Sequence, residues 1–362
     1  PLPEKLSICC GRQNRGVAIL GDKLFLGTLD ARLIALETKT GAVIWNVKSA
    51  EASEGYSKTA APIVVKDKVI SGIAGGEYGV RGFLDAYDAE TGERVWRFYT
   101  IPGEGEKNND SWEGDSWKTG GAPTWVTGSY DPELNLIYWG TGNPGPDWNG
   151  EARMGDNLYS DSVVALDADT GEIVWYYQHL NDHWDLDHPF ERLLVDTAVT
   201  PDASAVRWIN PRLQPGEVRK VVTGIPGKTG VVYTLDRETG EFLWATPTVP
   251  QNLINDIDGA TGNVTENPEV VFGAYGQEVL SCPGWLGGKD WEAGAYSPLT
   301  NTMYFPLRNM CQRLLATTAP DASHRIYALA VRHELAPGTD QLGAIYAISA
   351  ETGATTWLYE QR

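Results

Sequence analysis

One phrase recurs five times along the chain and constrains its fold more than any other feature. In each copy a Thr-Gly pair is followed, four residues after the Gly, by a Trp. The copies are Gly41/Trp45, Gly92/Trp96, Gly171/Trp175, Gly240/Trp244 and Gly353/Trp357. Each reads as a β-hairpin in which an apolar strand leads into an Asx-type turn, Gly supplies a positive φ, and a second strand ends on the Trp. A Trp offers a large apolar surface for contact with a neighbouring repeat. Strand-only repeats of this kind predict the blades of an all-β propeller.

The spacing between copies is uneven, and the longest interval separates Trp244 from Trp357. We expect a degenerate blade in that interval near residues 301–305, which gives five to six blades in all. A generic all-β sandwich with chance Thr-Gly turns is the alternative, and five copies in one register count against it. No segment has the composition of a flexible linker, so we expect one domain over residues 1–362.

Charge excludes some classes of partner. The 362 residues carry a formal net charge of −19, whereas nucleic acid and anionic membrane surfaces require a basic face. The charge instead suits a cationic protein partner. We expect no membrane span, because the sequence has no run of 18 apolar residues. It also contains neither an HExxH nor a CxxC zinc motif.

Four cysteines fall as an adjacent pair, Cys9-Cys10, and as Cys282 and Cys311. Neighbouring Cα atoms lie about 3.8 Å apart, which is shorter than the roughly 4.4–6.8 Å of ordinary disulfides. A bond between Cys9 and Cys10 therefore needs a distorted peptide, and such strain concentrates at functional sites. The alternative is two reduced thiols. Cys282 and Cys311 could form an ordinary bridge, which would favour an oxidising compartment.

Oxygen donors follow strands of different repeats. Glu77 lies in a Gly-rich turn, Asn143 follows an apolar strand, and Asp185 and Asp187 lie in an acidic-aromatic loop. Loops of this kind converge near the axis of a propeller, and a hard cation binds several carboxylate and amide oxygens. Each residue taken alone also suits a simple turn.

Together these motifs resemble those of the pyrroloquinoline quinone (PQQ) dependent alcohol dehydrogenases, which include methanol and ethanol dehydrogenases. The resemblance covers nearly the whole chain. It rests on Cys9-Cys10, Arg15, the Gly-rich run 75–82, the run 140–144, Trp184-Asp185 and the repeated Trp phrases. It implies an eight-bladed periplasmic propeller, so we expect this chain to be truncated at both ends.

The resemblance also implies a cofactor site. Cys9-Cys10 would form a disulfide ring over one face of PQQ, and Trp125 would stack on the other. Arg15 would pair with a PQQ carboxylate. Further residues expected to contact PQQ are Thr59, Gly75, Gly76, Thr124, Lys228 and Asn309.

Catalytic roles follow from the same resemblance. Asp185 would be the general base that takes the alcohol proton as hydride moves to PQQ, and Lys228 would stabilise developing negative charge. Trp148 would form a wall of the substrate pocket. Cys282–Cys311 matches a structural disulfide of the family. The chain has no Cys-x-x-Cys-His haem motif, so electrons would pass to a separate cytochrome c, and a homodimer is a further expectation.

The identity of the metal depends on Asp187. Glu77, Asn143 and Asp185 would ligate the cation, and an Asp two positions after the catalytic one marks lanthanide-dependent members of the family. A trivalent ion benefits from one more carboxylate than calcium does. We therefore expect a lanthanide slightly ahead of calcium. A similar Asp-x-Asp run occurs in quinoprotein sugar dehydrogenases, so sugar or polyol oxidation is one alternative function, and a non-catalytic propeller scaffold is another.

Overall fold

The computed structural model describes residues 2, 6–148, 150–271, 276–318 and 328–361. These residues form strands, turns and short 3-10 helices, and they separate into two compact units, Pro1–Asn181 and Asp182–Arg362. The 3-10 helices are Ala52–Glu54, Gly76–Tyr78, Asn109–Ser111, Ser116–Thr119, Gly150–Ala152 and Pro268–Val270. None of the helices in this described part of the chain is long and apolar enough to cross a membrane.

The first unit contains three four-stranded antiparallel sheets, each a meander of consecutive strands. The first sheet comprises β1 (Val17–Leu20), β2 (Lys23–Gly27), β3 (Arg32–Glu37) and β4 (Val43–Lys48). The second comprises β5 (Ile63–Val65), β6 (Lys68–Ser71), β7 (Phe83–Asp88) and β8 (Arg94–Tyr99). The third comprises β9 (Ser129–Asp131), β10 (Leu136–Gly140), β11 (Ser162–Asp167) and β12 (Ile173–Gln178).

The second unit contains two larger sheets and two smaller ones. One larger sheet has the order β13-β15-β16-β17-β14, and its strands are β13 (Leu193–Val199), β14 (Trp208–Ile209), β15 (Glu217–Gly224), β16 (Val231–Asp236) and β17 (Phe242–Pro247). The other has the order β21-β22-β25-β26, with β21 (Ala295–Ser297), β22 (Thr302–Arg308), β25 (Gly343–Ser349) and β26 (Thr355–Gln361). The smaller sheets pair β18 (Ile254–Ile257) with β19 (Val264–Glu266), and join β20 (Glu278–Ser281), β23 (Met310–Thr318) and β24 (Ala328–Leu335).

The degenerate sixth blade predicted near residues 301–305 is wrong. Strand β22 pairs with β25, and Thr302 lies opposite Ser349 of the fifth phrase. Residues 301–305 therefore belong to the blade that ends on Trp357, and the long interval contains strands inserted between the second and third strands of that blade. In the described part of the chain each of the five phrases lies in its own sheet of four or more strands.

The predicted docking of Trp on a neighbouring repeat is confirmed. In the third phrase the Asp167 carboxylate accepts hydrogen bonds from the backbone N–H groups of the turn, and Gly171 adopts φ +72°. Trp96 lies on this turn: its Nε1 donates to Ala168 O at 3.3 Å, and a Cβ on Gly171 would lie 2.5 Å from the ring. Trp45 contacts Gly92 in the same way, and Trp244 contacts Gly353. Gly92, Gly171 and Gly353 thus each supply both the turn and the space that the Trp occupies.

A candidate cofactor and cation site

The adjacent cysteines are joined. Cys9 and Cys10 form a disulfide, as predicted, and both residues are exposed. Cys10 has φ +64°, and Gln13 Nε2 donates to Cys10 O at 2.7 Å. Cys282 and Cys311 form the second predicted disulfide, which is buried in an apolar cluster of the second unit.

Three predicted cofactor residues meet beside one another in the first unit. The guanidinium carbon of Arg15 lies 4.8 Å from the centroid of the Trp125 ring, within cation–π range. The Arg15 backbone N–H donates to Thr59 O at 3.0 Å, and Thr59 Oγ1 donates to Trp125 O at 3.3 Å. The Arg15 guanidinium and the Trp125 ring are therefore held side by side through hydrogen bonds to the backbone and the hydroxyl group of Thr59.

The turn that carries Glu77 requires its glycines. Gly75 has φ +119°, and a Cβ there would lie 2.1 Å from Gly55 O. A Cβ on Gly76 would lie 3.0 Å from the Pro123 ring. The backbone can therefore turn at Gly75 only without a side chain, whereas a side chain at Gly76 would require the Pro123 ring to shift. The Glu77 side chain is exposed on this turn.

Thr124 forms hydrogen bonds with the backbone on both sides of the same turn. Its buried hydroxyl accepts a hydrogen bond from the Ile73 N–H at 2.8 Å and donates to Phe83 O at 2.7 Å. The hydroxyl therefore joins the ends of the two strands that flank the Gly-rich turn, and it shapes the predicted site through the backbone.

Asn143 lies in the loop that follows β10, beside the Glu77 turn. Its side chain is buried, and its Nδ2 donates to a carboxylate oxygen of Asp147. Its Oδ1 lies 3.7 Å from the position that a Cβ on Gly76 would take. The structure thus brings Asn143 next to the segment of Glu77. Trp148 is half-buried in the same loop, with φ +53°.

In the second unit a lysine lies between two predicted carboxylates. Lys228 Nζ is 2.8 Å from Asp185 Oδ1 and 2.8 Å from Asp187 Oδ2, and it also donates to Asp185 O at 3.0 Å. Lys228 and Asp187 are buried. Burial by itself lowers the pKa of Lys228, but the charges of Asp185, Asp187 and Asp290 outweigh it and raise that pKa well above its usual value. Lys228 is therefore a cation at neutral pH.

A buried side chain shapes the loop that presents Asp185. The Asp182 carboxylate accepts from the Trp184 N–H at 2.7 Å and from the Leu186 N–H at 2.6 Å. Trp184 is fully buried, and its Nε1 donates to Val270 O at 2.6 Å. These bonds fix the backbone on both sides of Asp185, which adopts φ +62°.

The lysine turn packs closely on the same loop. A Cβ on Gly227 would lie 2.2 Å from the His188 ring, so only Gly fits there. The Lys228 N–H donates to Asp187 O at 3.0 Å. Burial, helped by the charge of Arg192, lowers the pKa of His188 to about 3, so this imidazole is neutral.

Sequence reasoning missed Asp290, which is electrostatically coupled to Lys228 and Asp187. Burial raises the pKa of Asp290, and the Lys228 charge opposes that rise. Gly288, two residues before Asp290, donates its backbone N–H to Lys228 O at 2.8 Å. An Asp in a Gly-rich loop carries no distinctive spacing, so only the fold reveals its position.

Asn309 does not join the lysine cluster. Its Nδ2 donates to Gln341 O at 3.2 Å and its backbone N–H donates to Leu342 O at 2.8 Å. Its contact with PQQ stays a prediction.

The predicted oxygen donors fall in two sets. Glu77 and Asn143 belong to the first unit, whereas Asp185 and Asp187 belong to the second. Among the described residues no three His, Cys, Asp or Glu side chains lie close enough to hold a metal ion. The donor chemistry of both sets, carboxylate and amide oxygen, nevertheless fits a hard cation. The Lys228 ammonium also shows that Asp185 and Asp187 together bind positive charge.

Comparison with known proteins agrees with these features. Residues 10–261 match the family model described as "PQQ: Glucose/ethanol/alcohol dehydrogenase, beta-propeller domain". The quinohemoprotein alcohol dehydrogenase ADH IIB of Pseudomonas putida is 40% identical over 317 residues, which are 83% of this chain and 43% of that protein. A lanthanide-dependent methanol dehydrogenase of Methylacidiphilum fumariolicum is 38% identical over 326 residues, which are 84% of this chain and 50% of that protein.

A solved structure is similar over nearly the whole chain. A europium-containing methanol dehydrogenase superposes with a TM-score of 0.86 at 35% identity, covering 98% of this chain and 63% of that one. The chain spans about half the length of the curated relatives that it matches. The match of the family model and the identity to these relatives establish that the chain belongs to the family of PQQ-dependent dehydrogenases with a β-propeller domain.

Proposed function

We propose that this chain binds PQQ and one hard cation and oxidises an alcohol to an aldehyde or ketone. The observation that carries the proposal is the Lys228 ammonium, held 2.8 Å from both Asp185 and Asp187. Removing hydride from an alcohol requires a base for the hydroxyl proton and a donor where negative charge develops. Asp185 supplies the base, and Lys228 supplies the donor. The alcohol class is supported by the relatives, which are alcohol and methanol dehydrogenases.

The first unit would supply most of the cofactor contacts. The Cys9–Cys10 disulfide and the Trp125 ring are flat apolar surfaces suited to a planar cofactor, and Arg15 suits its carboxylates. The further contacts proposed are Thr59, Gly75, Gly76, Thr124 and Asn309, with Trp148 as a wall of the substrate pocket. When bound, PQQ would supply the hydride acceptor and the cation a Lewis acid that polarises it.

The chain's own residues then have distinct tasks. Asp185 takes the alcohol proton. Lys228 remains protonated, because its pKa is raised, and it donates hydrogen bonds to developing negative charge. Glu77, Asn143 and Asp185 would ligate the cation, and Asp187 would add the carboxylate that favours a lanthanide over calcium.

The setting proposed is the periplasm, with residues 1–362 as part of one propeller domain. Electrons leave to a separate cytochrome c, and the net charge of −19 suits a cationic partner of that kind. A homodimer is the expected self-association.

The test is dye-linked oxidation by the chain loaded with PQQ and either Ca²⁺ or La³⁺, with an alcohol and a sugar as alternative substrates. We expect alcohol oxidation with La³⁺ that is reduced by at least about 10–100-fold in Asp187→Ala, because losing a ligand should cost no less than losing a partner that orients one. Asp258→Asn, which changes an exposed turn carboxylate of the same unit, should leave the rate unchanged.

Other outcomes separate the alternatives. Equal or better activity with Ca²⁺, insensitive to Asp187→Ala, would remove the lanthanide role of Asp187. A rate with the sugar alone would move the chain to the sugar or polyol branch. No activity and no retained PQQ with either metal would overturn catalysis by this chain and favour a scaffold.

A further inference from the structure

We propose that Asp147 is a positioning residue that orients Asn143 so that its carbonyl oxygen faces the Glu77 turn. The inference rests on the proposed function, in which Asn143 is a cation ligand. Asp147 is not one of the proposed cation ligands. Its proposed role is to fix the orientation of the Asn143 side chain, which is one of them.

The bond to Asp147 selects one orientation of the amide. The side chain of Asn143 turns its Nδ2 toward Asp147, where a carboxylate oxygen accepts the hydrogen bond. The carbonyl Oδ1 then lies on the opposite side of the amide carbon. On that side it is 3.7 Å from the Cβ position of Gly76, the residue before Glu77. A neutral partner such as a hydroxyl group could accept or donate and would permit the flipped amide.

Burial makes this control strong. Asn143 is 2% exposed and Asp147 is 3% exposed, so water has little access to replace either partner. A hydrogen bond in such buried surroundings is stronger than the same bond in water. Rotating the amide would bring a carbonyl oxygen against a carboxylate oxygen, which is repulsive.

The loop that carries the pair is itself fixed. Arg153 is buried, its Nε donates to Pro146 O at 3.1 Å, and its Nη1 donates to Asn157 Oδ1 at 2.8 Å. Asp147 follows Pro146 directly, so the backbone at Asp147 is held independently of its own side chain. Substituting Asp147 should therefore release the amide of Asn143 more than it displaces the loop.

The first test measures binding of Tb³⁺ alone to the full chain by Trp-sensitised luminescence. We expect Asp147→Ala to weaken Tb³⁺ binding about 10–100-fold, the range for partners that orient metal ligands. Asp147→Asn keeps an oxygen that can accept the same bond but adds a donor that permits the flipped amide, so its loss should be smaller than that of Asp147→Ala. Asp156→Ala, an exposed carboxylate of the same loop, is the matched control and should bind as the unmodified chain does.

A second measurement needs no metal. In protein labelled with ¹⁵N-asparagine, the Asn143 side-chain amide is assigned by its absence in Asn143→Asp. We expect a downfield, slowly exchanging N–H in the unmodified chain that moves to ordinary values in Asp147→Ala.

The outcomes are distinguishable. An equal loss of Tb³⁺ affinity in Asp147→Asn and Asp147→Ala would overturn positioning and make Asp147 a charged ligand. An Asn143 amide resonance unaffected by Asp147→Ala would also overturn it. If the unmodified chain binds no Tb³⁺ while the resonance depends on Asp147, the orientation stands and the proposed metal role fails.

Discussion

Two buried lysines, Lys58 in the first unit and Lys228 in the second, have opposite electrostatic surroundings. Lys58 is 1% exposed, and its Nζ donates to Ser71 Oγ and Gly72 O, both at 2.9 Å. These acceptors are neutral. Burial lowers the pKa of Lys58 to about 8, and the charge of Asp85 offsets only part of that effect. Lys228 is also buried but contacts two carboxylates, and its pKa is raised.

The difference shows that burial does not by itself decide the direction in which the pKa of a lysine shifts. Burial disfavours the charged form by itself, and dipolar acceptors recover part of the loss. Only ionised partners reverse it. Asp85 is engaged by the Arg97 guanidinium at 2.6 and 2.7 Å, and the Arg97 charge itself lowers the pKa of Lys58. We conclude that Lys58 has a structural role, because it connects its own segment to residues 71–72. Lys228 instead belongs to a cluster of charged side chains that can stabilise charge developing in a reaction.

Asp185→Asn should have the largest effect, because it removes the base while keeping the shape of the Lys228 cluster. We expect kcat/KM for alcohol oxidation to fall about 10²–10⁴-fold, the range for loss of a general base. The measurement is the dye-linked rate of the PQQ-loaded chain, with Tb³⁺ affinity recorded alongside. A rate within about threefold of the unmodified chain would assign the proton to another group.

Lys228→Met should come next. It leaves two carboxylates close together without their cation, so the metal-free chain should lose about 3–5 kcal/mol of unfolding free energy. The loss of a donor to developing negative charge should also reduce kcat about 10²–10³-fold. Urea denaturation and steady-state rates measure the two effects, and Lys58→Met is the matched control for the rate. If both lysine variants lost activity equally, the distinction between the two sites would fail.

Sequence alone indicated much of this site. The Thr-Gly/Trp phrase predicted the hairpins, because their turns depend on residues close in sequence. Its repetition predicted that the Trp of one repeat docks on a neighbouring repeat, as Trp96 does on Gly171. Asp185 and Lys228 stood out through the family resemblance, and the structure pairs them. The adjacency of Cys9 and Cys10 showed from the sequence alone that a disulfide between them would need a distorted peptide.

Other features depended on contacts between distant residues. The partner of strand β22 lies some forty residues further along the chain, beyond two inserted strands, so local pattern misassigned residues 301–305 to a blade of their own. Asp147 and Asp290 are two carboxylates among 48 acidic residues, and only the fold separates them from the exposed majority. The opposite pKa shifts of Lys58 and Lys228 likewise follow from contacts with residues that lie elsewhere in the sequence.

Lys58→Met should change the pH dependence of stability. The folded-state pKa of about 8 lies below the unfolded value of 10.5, so the unfolded chain binds more protons between those two values. The unfolding free energy of the unmodified chain therefore rises with pH in that window by about 1.4 kcal/mol per pH unit, or about 3 kcal/mol in all. The variant lacks this contribution. Denaturation of both proteins from pH 7 to 10.5 measures the difference, and parallel curves would contradict the assigned state of Lys58.

Ser71→Ala should have the smallest effect, because it removes one of two neutral acceptors from Lys58. We expect a loss of about 1–2 kcal/mol of unfolding free energy at pH 7, where the buried lysine is charged and a hydrogen bond to it is stronger than a neutral one. Near pH 10 the folded-state lysine is neutral, and the loss should fall to about 0.5–1 kcal/mol. Ser160→Ala removes a buried hydroxyl that donates to the neutral Asn157 O, so its cost should not vary with pH. Equal pH dependence in the two serine variants would mean that Lys58 keeps its proton throughout, as Lys228 does, and that a carboxylate rather than Ser71 determines its state.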